Sequence, residues 1–305
     1  MRVLVTGGCG FIGRHLRDMF RNAGISVHTV DPLQSSAGGD DPPTICNRAE
    51  NLAAGFLAQY DCIVHAAAYP ELRHNWDAMS ERVRLFEDNV ASLQLLLEKL
   101  DRQRVVFFSS SCVYGDWRNK PYVAFECDAG PETIQSPYAA SKWAGEALVA
   151  AYAYKRETPY HILRPVNVVG AGQHRGQVPD FVRKARTGKL HAADDGRQRK
   201  SFVHVEDVAD AVLAIVAGVG ADEVPSGVYN LTSAERWSWR DTVDLMRRLE
   251  PEVPFDLTWE DRPGGAVGDP IDLHCGGTRL ARYYQPWRSV ESGVAEALKW
   301  NGWGR

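Results

Sequence analysis

The sequence predicts an α/β fold, built as a doubly wound parallel sheet with a smaller C-terminal domain. Short apolar runs alternate with helix-like stretches through about the first 200 residues, which is the pattern of right-handed βαβ units. A glycine-rich turn, Thr6 to Gly13, stands where the first strand would pass into the first helix. From about Gly170 onward the alternation fails, because Gly, Arg and Pro cluster at 170–200 and 261–277.

The individual strands are predicted from short apolar runs bounded by turn residues, and the helices from longer amphipathic stretches. A loop over 32–43 replaces the usual second crossover helix. The predicted strands cover Arg2 to Thr6, Ser26 to Val30, Cys62 to Ala66, Arg104 to Ser109 and Tyr160 to Leu163. The predicted helices cover Ile12 to Ala23, Met79 to Leu100 and Tyr138 to Arg156.

The domain division follows from where the alternation ends. One more strand and helix, Phe202 to Val216, are expected to return to the main sheet. The first domain then spans 1–168 together with the returning segment at about 201–218. The second domain, expected to hold the substrate, spans 169–200 and 219–305.

Composition excludes several classes of function. Hydrophobic residues make up 44% of the chain, as in ordinary globular proteins. The net charge is -4, so the chain is not expected to have the positive electrostatic potential that attracts nucleic acid. No apolar run approaches the roughly 18 residues of a membrane span, and no signal-peptide pattern is present, so a cytoplasmic location is expected. The six cysteines form no Cys-x-x-Cys pair and have no zinc-ligand spacing, which predicts reduced thiols and no metal site.

The turn after the first strand has the spacing of a dinucleotide site. Gly7, Gly10 and Gly13 permit a tight turn and a close approach of the main chain to a pyrophosphate at the helix N-terminus. Asp31 ends the second strand 24 residues after Gly7, where a carboxylate would bind the adenosine ribose hydroxyls and repel a 2′-phosphate. NAD is therefore predicted rather than NADP. The alternative is that Asp31 is only a turn residue before Pro32.

A second motif lies at the start of the helix near residue 138. Ser136 is a candidate N-cap and Pro137 suits the first helical position. Tyr138 and Lys142 are four apart, so both side chains lie on one face of the helix. A nearby ammonium would lower the tyrosine pKa from about 10 and make the phenolate a proton acceptor. The alternative is a chance pair on an ordinary amphipathic helix.

Further motifs follow these two in a fixed order along the chain. Together they make the chain similar, nearly end to end, to the extended short-chain dehydrogenase/reductase family, and in particular to its NAD-dependent nucleotide-sugar epimerases and dehydratases. The further motifs are His65-Ala66-Ala67-Ala68, Asp88-Asn89-Val90, Ser109 to Gly115, Arg164 to Gly170, Phe202 to Ala209 and Arg262-Pro263-Gly264.

The resemblance implies a Rossmann-like NAD-binding domain and roles for matching residues. Ser110 would hydrogen-bond the substrate hydroxyl and Tyr138. Tyr138 would remove the hydroxyl proton, while Lys142 would bind the nicotinamide ribose and lower the tyrosine pKa. The implied cofactor-binding residues are Gly7, Gly10, Phe11, Ile12, Gly13, Asp31, Ala66, Ala67, Ala68, Asn89, Tyr138, Lys142, Pro165 and Val166.

The same resemblance implies a nucleotide-sugar substrate, with a UDP-sugar favoured. Asn167 would contact the phosphates, and Arg262 resembles the family's diphosphate-binding arginine, although a solvated loop arginine is the alternative. The implied substrate-binding residues are Ser110, Ser111, Asn167, Gln177, Val178, Arg199, Lys200 and Arg262.

Two departures from the family pattern leave part of the substrate site open. Lys200 stands at the usual arginine position of an Arg-Asp-Phe motif, so diphosphate binding falls to Arg199 or Lys200. The loop from Gly264 to Asp269 is longer than the family's Gly-Asp, so Asp269 is only a guess for the substrate-contacting acid.

The resemblance also bears on the reaction. Related dehydratases carry an Asp-Glu pair directly after the catalytic serine, whereas this chain has Ser111-Cys112, which disfavours dehydration. A 4-epimerase needs no further acid or base, because the 4-keto sugar turns over and takes the hydride back. A cysteine at position 112 also matches the family's 3,5-epimerases, with a partner acid from the loop of His174 and Arg175, although a small filler is the alternative. A non-catalytic dinucleotide sensor is the remaining class.

Related enzymes are homodimers, which predicts a dimer through the helices near 79–100 and 138–156. Small residues on the second helix would let helices approach closely, or would pack on the chain's own sheet. They are Ala139, Ala140, Ala144 and Gly145.

Overall fold

The computed structural model describes residues 1–33, 44–69, 78–116, 123–192, 194–218, 223–261, 273–277 and 279–304. Its strands are β1 (Arg2–Thr6), β2 (Ser26–Asp31), β3 (Ile45–Cys46), β4 (Cys62–His65), β5 (Arg104–Phe108), β6 (Tyr160–Pro165), β7 (Asn167–Val169), β8 (Lys189–Ala192), β9 (Arg199–His204), β10 (Gly227–Leu231), β11 (Arg236–Ser238) and β12 (Asp256–Trp259). Its α-helices are α1 (Phe11–Asn22), α2 (Ala54–Leu57), α3 (Met79–Phe86), α4 (Ser92–Glu98), α5 (Pro137–Arg156), α6 (Gln177–Arg186), α7 (Val205–Ala217), α8 (Trp239–Leu249) and α9 (Val290–Trp300).

Seven strands form a central parallel sheet in the order β3-β2-β1-β4-β5-β6-β10. The five strands predicted from the sequence are all present, with ends that differ by at most two residues. β2 and β4 flank β1 on opposite sides, so the chain reverses direction across the sheet at β1. Ligands of open α/β sheets bind at the carboxyl ends of the strands beside such a reversal. The predicted α/β class is confirmed.

Helices cover both faces of this sheet, as the alternation of side chains along a strand requires. In β1, Val3 and Val5 face the core layer that includes residues of α1 and α7. Leu4 faces the opposite layer, which includes residues of α4 and α5. All three side chains are fully buried, which explains why β1 is a continuous apolar run.

The strand predicted to return to the central sheet does not do so. β9 pairs with β7 in parallel and with β11 in antiparallel fashion, in a separate three-stranded sheet. The strand that extends the central sheet beyond β6 is β10, whereas α7 does pack against α1 on the central sheet. An apolar strand satisfies either sheet equally well, so the run around Phe202 could not identify its partner.

A second apolar core lies under α6, α8 and α9. It contains large aromatic side chains, among them Phe181, Phe202 and Trp303. β8 and β12 form a two-stranded parallel sheet at its edge. This core begins with Val169 of β7 and includes Phe202, which the predicted division placed in the first domain. The division into two domains stays a prediction.

The single helix predicted over 79–100 is interrupted. α3 ends at Phe86, residues 87–91 form a wider π-type turn, and α4 ends at Glu98. Such wide turns are often found at functional sites. Here the turn carries Asn89, one of the predicted cofactor-binding residues.

Candidate functional site

The turn between β1 and α1 leaves room for a ligand over the helix N-terminus. Gly7 has φ +72°, and a Cβ there would lie 2.8 Å from main-chain atoms of Ala67. A Cβ at Gly13 would overlap the carbonyl oxygen of Gly7, so the helix packs directly on the turn. Gly10 caps α1 without any side-chain hydrogen bond. The first amides of α1 are therefore available to a pyrophosphate, whose charge the helix dipole favours.

Asp31 stands beside this turn at the end of β2. Its side chain is largely buried, and its two carboxylate oxygens accept hydrogen bonds from the main-chain amides of Cys9, at 3.1 Å, and Leu33, at 2.9 Å. The Gly7 amide donates to the carbonyl of Val30 at 2.9 Å, which fixes the turn against β2. The carboxylate is oriented by the main chain and retains lone pairs for ribose hydroxyls. The turn and Asp31 together fit NAD.

The segment after β4 forms the next wall. The Ala67 amide donates a hydrogen bond to Thr6 Oγ1 at 3.1 Å. The same Thr6 hydroxyl is hydrogen-bonded to the His65 ring at 3.0 Å. Asn89 accepts from the Tyr69 amide at 2.7 Å and donates to the Tyr69 carbonyl. It also donates to Ser141 on α5, at 3.1 Å. The Asn89 side chain thus connects this segment to α5. Asn89 would therefore influence cofactor binding indirectly, by holding the segment in place.

Tyr138 and Lys142 are brought together at the start of α5. Ser136 caps the helix by accepting from the Ala139 amide at 3.1 Å, and Pro137 takes the first helical position, as predicted. The Lys142 ammonium donates to the Phe108 carbonyl at 2.8 Å and lies 5.8 Å from the centre of the Tyr138 ring. Both side chains are buried.

Burial dominates the electrostatics of this pair. It raises the pKa of Tyr138, Cys112 raises this pKa further, and a hydrogen bond with Ser110 lowers it. It lowers the pKa of Lys142 to about 8, against the opposing effects of Glu146 and Cys112. The expected lowering of the Tyr138 pKa by Lys142 is not found, because loss of solvent dominates this pKa and the neighbours that act on it are Cys112 and Ser110.

The turn after β5 carries the predicted serine and cysteine. Ser110 Oγ accepts from the Cys112 amide at 3.2 Å, which fixes the serine at the strand end. Cys112 and Ser111 are buried, and Cys112 packs in a small cluster with Leu85 and Tyr138. The cysteine therefore lies next to the candidate general base, which is compatible with either a packing or a chemical role.

The predicted substrate residues fall into different environments. Asn167 donates its amide to the Ser201 carbonyl at 3.1 Å, which links β7 to β9. Gln177 begins α6, but the Val178 side chain is 1% exposed and packs in the second core. Only the main chain of Val178 could therefore meet a substrate. The amphipathic period of α6 accounts for its burial.

Arg199 and Lys200 point in opposite directions, as neighbours on a strand must. Arg199 is exposed and donates to the Asp241 carboxylate on α8 at 3.3 Å. Lys200 is buried. Arg262, Asp269 and the loop residues 34–43 lie outside the described residues.

Sequence reasoning missed a buried ionic cluster beneath Tyr138 and Lys142. Arg164 donates to both carboxylate oxygens of Glu146, at 2.9 and 2.7 Å, and Ser109 donates to the same carboxylate. Glu146 follows Lys142 by four residues, so helical spacing could have identified it.

The small residues of α5 divide between two roles. Ala139 and Gly145 are buried. A Cβ on Gly145 would meet the Phe107 ring at 2.5 Å, so this glycine packs on the chain's own sheet, whereas Ala139 packs with Leu85 and Cys112. Ala140 and Ala144 are partly exposed.

No disulfide joins any of the six cysteines, all of which fall in described ranges. No group of three or more His, Cys, Asp or Glu side chains in those ranges could hold a metal ion. None of the helices described here has the length and hydropathy needed to cross a membrane.

Comparison with known proteins gives matches along the whole chain. A model of the NAD dependent epimerase/dehydratase family matches residues 3–232. UDP-N-acetyl-alpha-D-glucosaminuronate decarboxylase of Bacillus cytotoxicus is 27% identical, over 98% of this chain and 97% of the relative. UDP-glucose 4-epimerase of Lacticaseibacillus casei is 27% identical over 84% of each chain. The solved structure of MoeE5 in complex with UDP-glucuronic acid and NAD has a TM-score of 0.84 at 27% identity and covers 98% of each chain.

Proposed function

The chain belongs to the NAD dependent epimerase/dehydratase family, and on that premise we propose that it is an NAD-dependent nucleotide-sugar 4-epimerase. Relatives catalyse different reactions, including decarboxylation and 4-epimerisation, so the site has to decide between them. One observation carries the proposal. The turn beside Tyr138 offers Ser111 and Cys112, where a dehydratase of the family needs two carboxylates.

The residues of this chain would act in the following way. Ser110 and Tyr138 would hold the sugar 4-hydroxyl, and the phenolate form of Tyr138 would accept its proton as general base. Because burial raises the Tyr138 pKa in the protein alone, this form depends on the positive charges of Lys142 and of the bound cofactor. Lys142 binds the nicotinamide ribose. When bound, NAD supplies the acceptor for the hydride that leaves carbon 4 and later returns to the other face of the sugar. Burial of Tyr138 and Lys142 keeps water away from the keto sugar.

The cofactor assignment rests on the first strand and helix. The open N-terminus of α1 suits a pyrophosphate, and the oriented carboxylate of Asp31 suits a ribose that carries no 2′-phosphate. An epimerase must keep its cofactor through each turnover, because loss of NADH would leave the keto sugar behind. We therefore expect the purified protein to carry NAD or NADH.

A UDP-sugar is the proposed substrate. MoeE5 is described in complex with UDP-glucuronic acid, and the Bacillus cytotoxicus relative is named for a UDP-sugar. Lys200 is the favoured diphosphate-binding residue, since its side chain is buried whereas that of Arg199 is exposed. Arg262 and Asn167 remain further proposals for this site.

The proposal is tested by screening UDP-, GDP-, dTDP- and CDP-sugars for thermal stabilisation of the NAD-loaded protein. The stabilising sugar is then incubated with enzyme, and the product is identified by NMR. We expect inversion at carbon 4 with no net change in NADH absorbance. Release of carbon dioxide, a 4-keto-6-deoxy product, or a continuous need for NADPH would each contradict the 4-epimerase assignment.

A 3,5-epimerase is the second candidate, because Cys112 packs directly against Tyr138. A thiol there could remove a proton from a carbon next to the 4-keto group. The two reactions differ in solvent exchange. A 3,5-epimerase would incorporate deuterium from deuterated water into its product, whereas a 4-epimerase would return the original hydride.

We also propose a homodimer through α3, α4 and α5, in the cytoplasm. Apolar side chains on α3 and α4 are exposed in the single chain, including Met79, Val83 and Leu95. Such residues are typical of a surface that a partner covers. Sedimentation at micromolar concentration is the test, and a monomer would contradict the dimer.

A further inference from the structure

We propose that Glu146 is a positioning residue for Lys142: its clamped, buried carboxylate keeps the Lys142 side chain charged and holds it beside Tyr138. The inference rests on the proposed function, since it concerns the lysine of that same site. It adds a residue that the Tyr138 and Lys142 pair does not include.

The geometry begins with one helix face. Glu146 lies one turn after Lys142 on α5, and both side chains are buried. A buried ammonium is unfavourable unless an opposite charge or hydrogen bonds compensate for the lost water. The Phe108 carbonyl supplies a hydrogen bond, but only a carboxylate supplies a full opposite charge.

Two neighbouring residues of β5 and the turn after it link the strand to α5. Phe108 accepts from Lys142, and the next residue, Ser109, donates to Glu146. The residue after that is Ser110, which lowers the pKa of Tyr138. Glu146 thus helps to set the separation between the serine and the helix that carries the tyrosine and lysine.

Arg164 on β6 fixes the carboxylate from the opposite side. Its planar guanidinium bonds both oxygens of Glu146, and a further nitrogen donates to the Glu126 carbonyl at 2.9 Å. A carboxylate held at both oxygens cannot rotate away from its neighbours. The carboxylate is therefore fixed on α5 one turn from Lys142, where Arg164 offsets part of its charge.

The other groups around Lys142 do not replace this charge. His65 on β4 is neutral near pH 7, because burial and the charge of Lys142 lower its pKa to about 3. Tyr138 on the same helix has a raised pKa, mainly through burial. Cys112, from the turn after β5, helps only as a thiolate. Glu146 is therefore the carboxylate, among the described groups that influence Lys142, that favours its charged form.

Loss of the Glu146 charge should change the pH at which Lys142 loses its proton. Lys142 is charged below its pKa of about 8, which burial lowers and Glu146 raises. Removing the carboxylate lowers this pKa further, so the ammonium is lost at a lower pH. The alkaline limb of the pH–rate profile should move down by about one pH unit.

The experiment compares Glu146→Gln with Glu146→Asp and Ser109→Ala. The pH dependence of kcat/KM is measured for each between about pH 6 and 10. Glu146→Gln should move the alkaline limb to lower pH. Glu146→Asp keeps the charge and Ser109→Ala removes only a hydrogen bond, so both should keep the limb near that of the unsubstituted enzyme.

A second measurement does not need turnover. Lys142 titrates near 8 in the folded protein but near 10.4 when unfolded, so the unfolded chain holds the extra proton between these values. The free energy of unfolding contributed by this group therefore rises with pH over that range. In Glu146→Gln the rise should begin at lower pH. This measurement remains informative even if no nucleotide sugar is turned over, so failure of the proposed function is seen separately.

Glu146→Gln leaves the Arg164 charge buried and unpaired, which destabilises the fold. If that variant does not fold, the double variant Glu146→Gln/Arg164→Gln removes both charges and keeps two amides that can bond each other. It should still move both pH dependences downward, but by less than the single variant, because the Arg164 charge that opposes Glu146 is lost as well. If the alkaline limb and the onset of the stability rise both stay in place in the folded glutamine variant, Glu146 has only a packing role and the proposal fails.

Discussion

From β1 to β2 the candidate ligand contacts come mostly from main-chain atoms, whereas on β7 and β9 they come from side chains. The first region offers the amides at the start of α1 and a turn that only glycines fit, with Asp31 as its one polar side chain. The second region offers Asn167 and Lys200, on two paired strands.

This difference explains why one region is more easily derived than the other. A main-chain site is encoded within a few consecutive residues, because strand, turn and helix follow one another. A side-chain site needs strands that are distant in sequence to pair in the correct register. The two regions should therefore respond differently to substitution. Changes in the first should alter cofactor binding and the rate of the reaction, whereas changes in the second should alter the affinity for the substrate.

The largest effect is expected from Tyr138→Phe, which removes the proton acceptor but keeps the ring. We expect the epimerisation rate to fall by about a hundredfold or more, as for loss of a positioned general base. Thermal stabilisation by the nucleotide sugar should remain, since the second region holds it. Tyr154→Phe, on the same helix with 89% exposure, is the matched control and should be unaffected. Near-normal turnover in Tyr138→Phe would remove the dehydrogenase-type mechanism altogether.

The next effect is expected from Gly13→Ala. The new methyl group would overlap the Gly7 carbonyl, so the turn or the helix must move. We expect the purified protein to lose bound NAD, measured by absorbance after denaturation, and to melt at a lower temperature. Gly55→Ala is the control, because a Cβ there meets nothing within 4 Å. It should change the free energy of unfolding by no more than about 1 kcal/mol.

Gly13→Ala should leave binding of the sugar nucleotide largely intact if the two regions are separate. Loss of sugar binding together with NAD would mean that the cofactor region builds part of the substrate site. In that case the main-chain contacts of the first region and the side-chain contacts of the second would not act separately.

Sequence reasoning succeeded where structure is local. The five central strands, the glycine turn and the Ser136-Pro137 helix start were all predicted, because each depends on neighbouring residues. It failed where partners are distant. The pairing of β9 with β7 and β11, and the return of β10 to the central sheet, depend on packing that no local pattern encodes.

The candidate site was predicted to a similar extent. The chain brings Tyr138, Lys142, Ser110 and Cys112 together, but their electrostatics differ from expectation. The predicted lowering of the tyrosine pKa considered only the neighbouring ammonium, whereas burial dominates the pKa of both groups. The clamp of Glu146 by Arg164 joins α5 to β6, so its second partner could not be identified from helical spacing alone.

A smaller effect is expected from Lys200→Met, which tests the side-chain region. Loss of a charged hydrogen bond to the diphosphate should raise KM for the nucleotide sugar by about tenfold or more, with little change in bound NAD. The control is Arg199→Met, which loses only an exposed ion pair with Asp241. If Arg199→Met raises KM more than Lys200→Met, the assignment of these two residues is reversed.

The smallest effect is expected from Cys112→Ala, at the boundary between the two regions. If the thiol only fills space beside Leu85 and Tyr138, the rate should change by less than about threefold, because a small buried side chain is replaced by a smaller one. If Cys112 instead removes a carbon-bound proton, the variant should lose deuterium exchange at carbons 3 and 5 yet keep hydride transfer at carbon 4. Mass spectrometry of product formed in deuterated water separates these results. Absence of deuterium in the product of the unsubstituted enzyme would eliminate the carbon-3/5 route and leave the phenol of Tyr138 as the acid and base of the reaction.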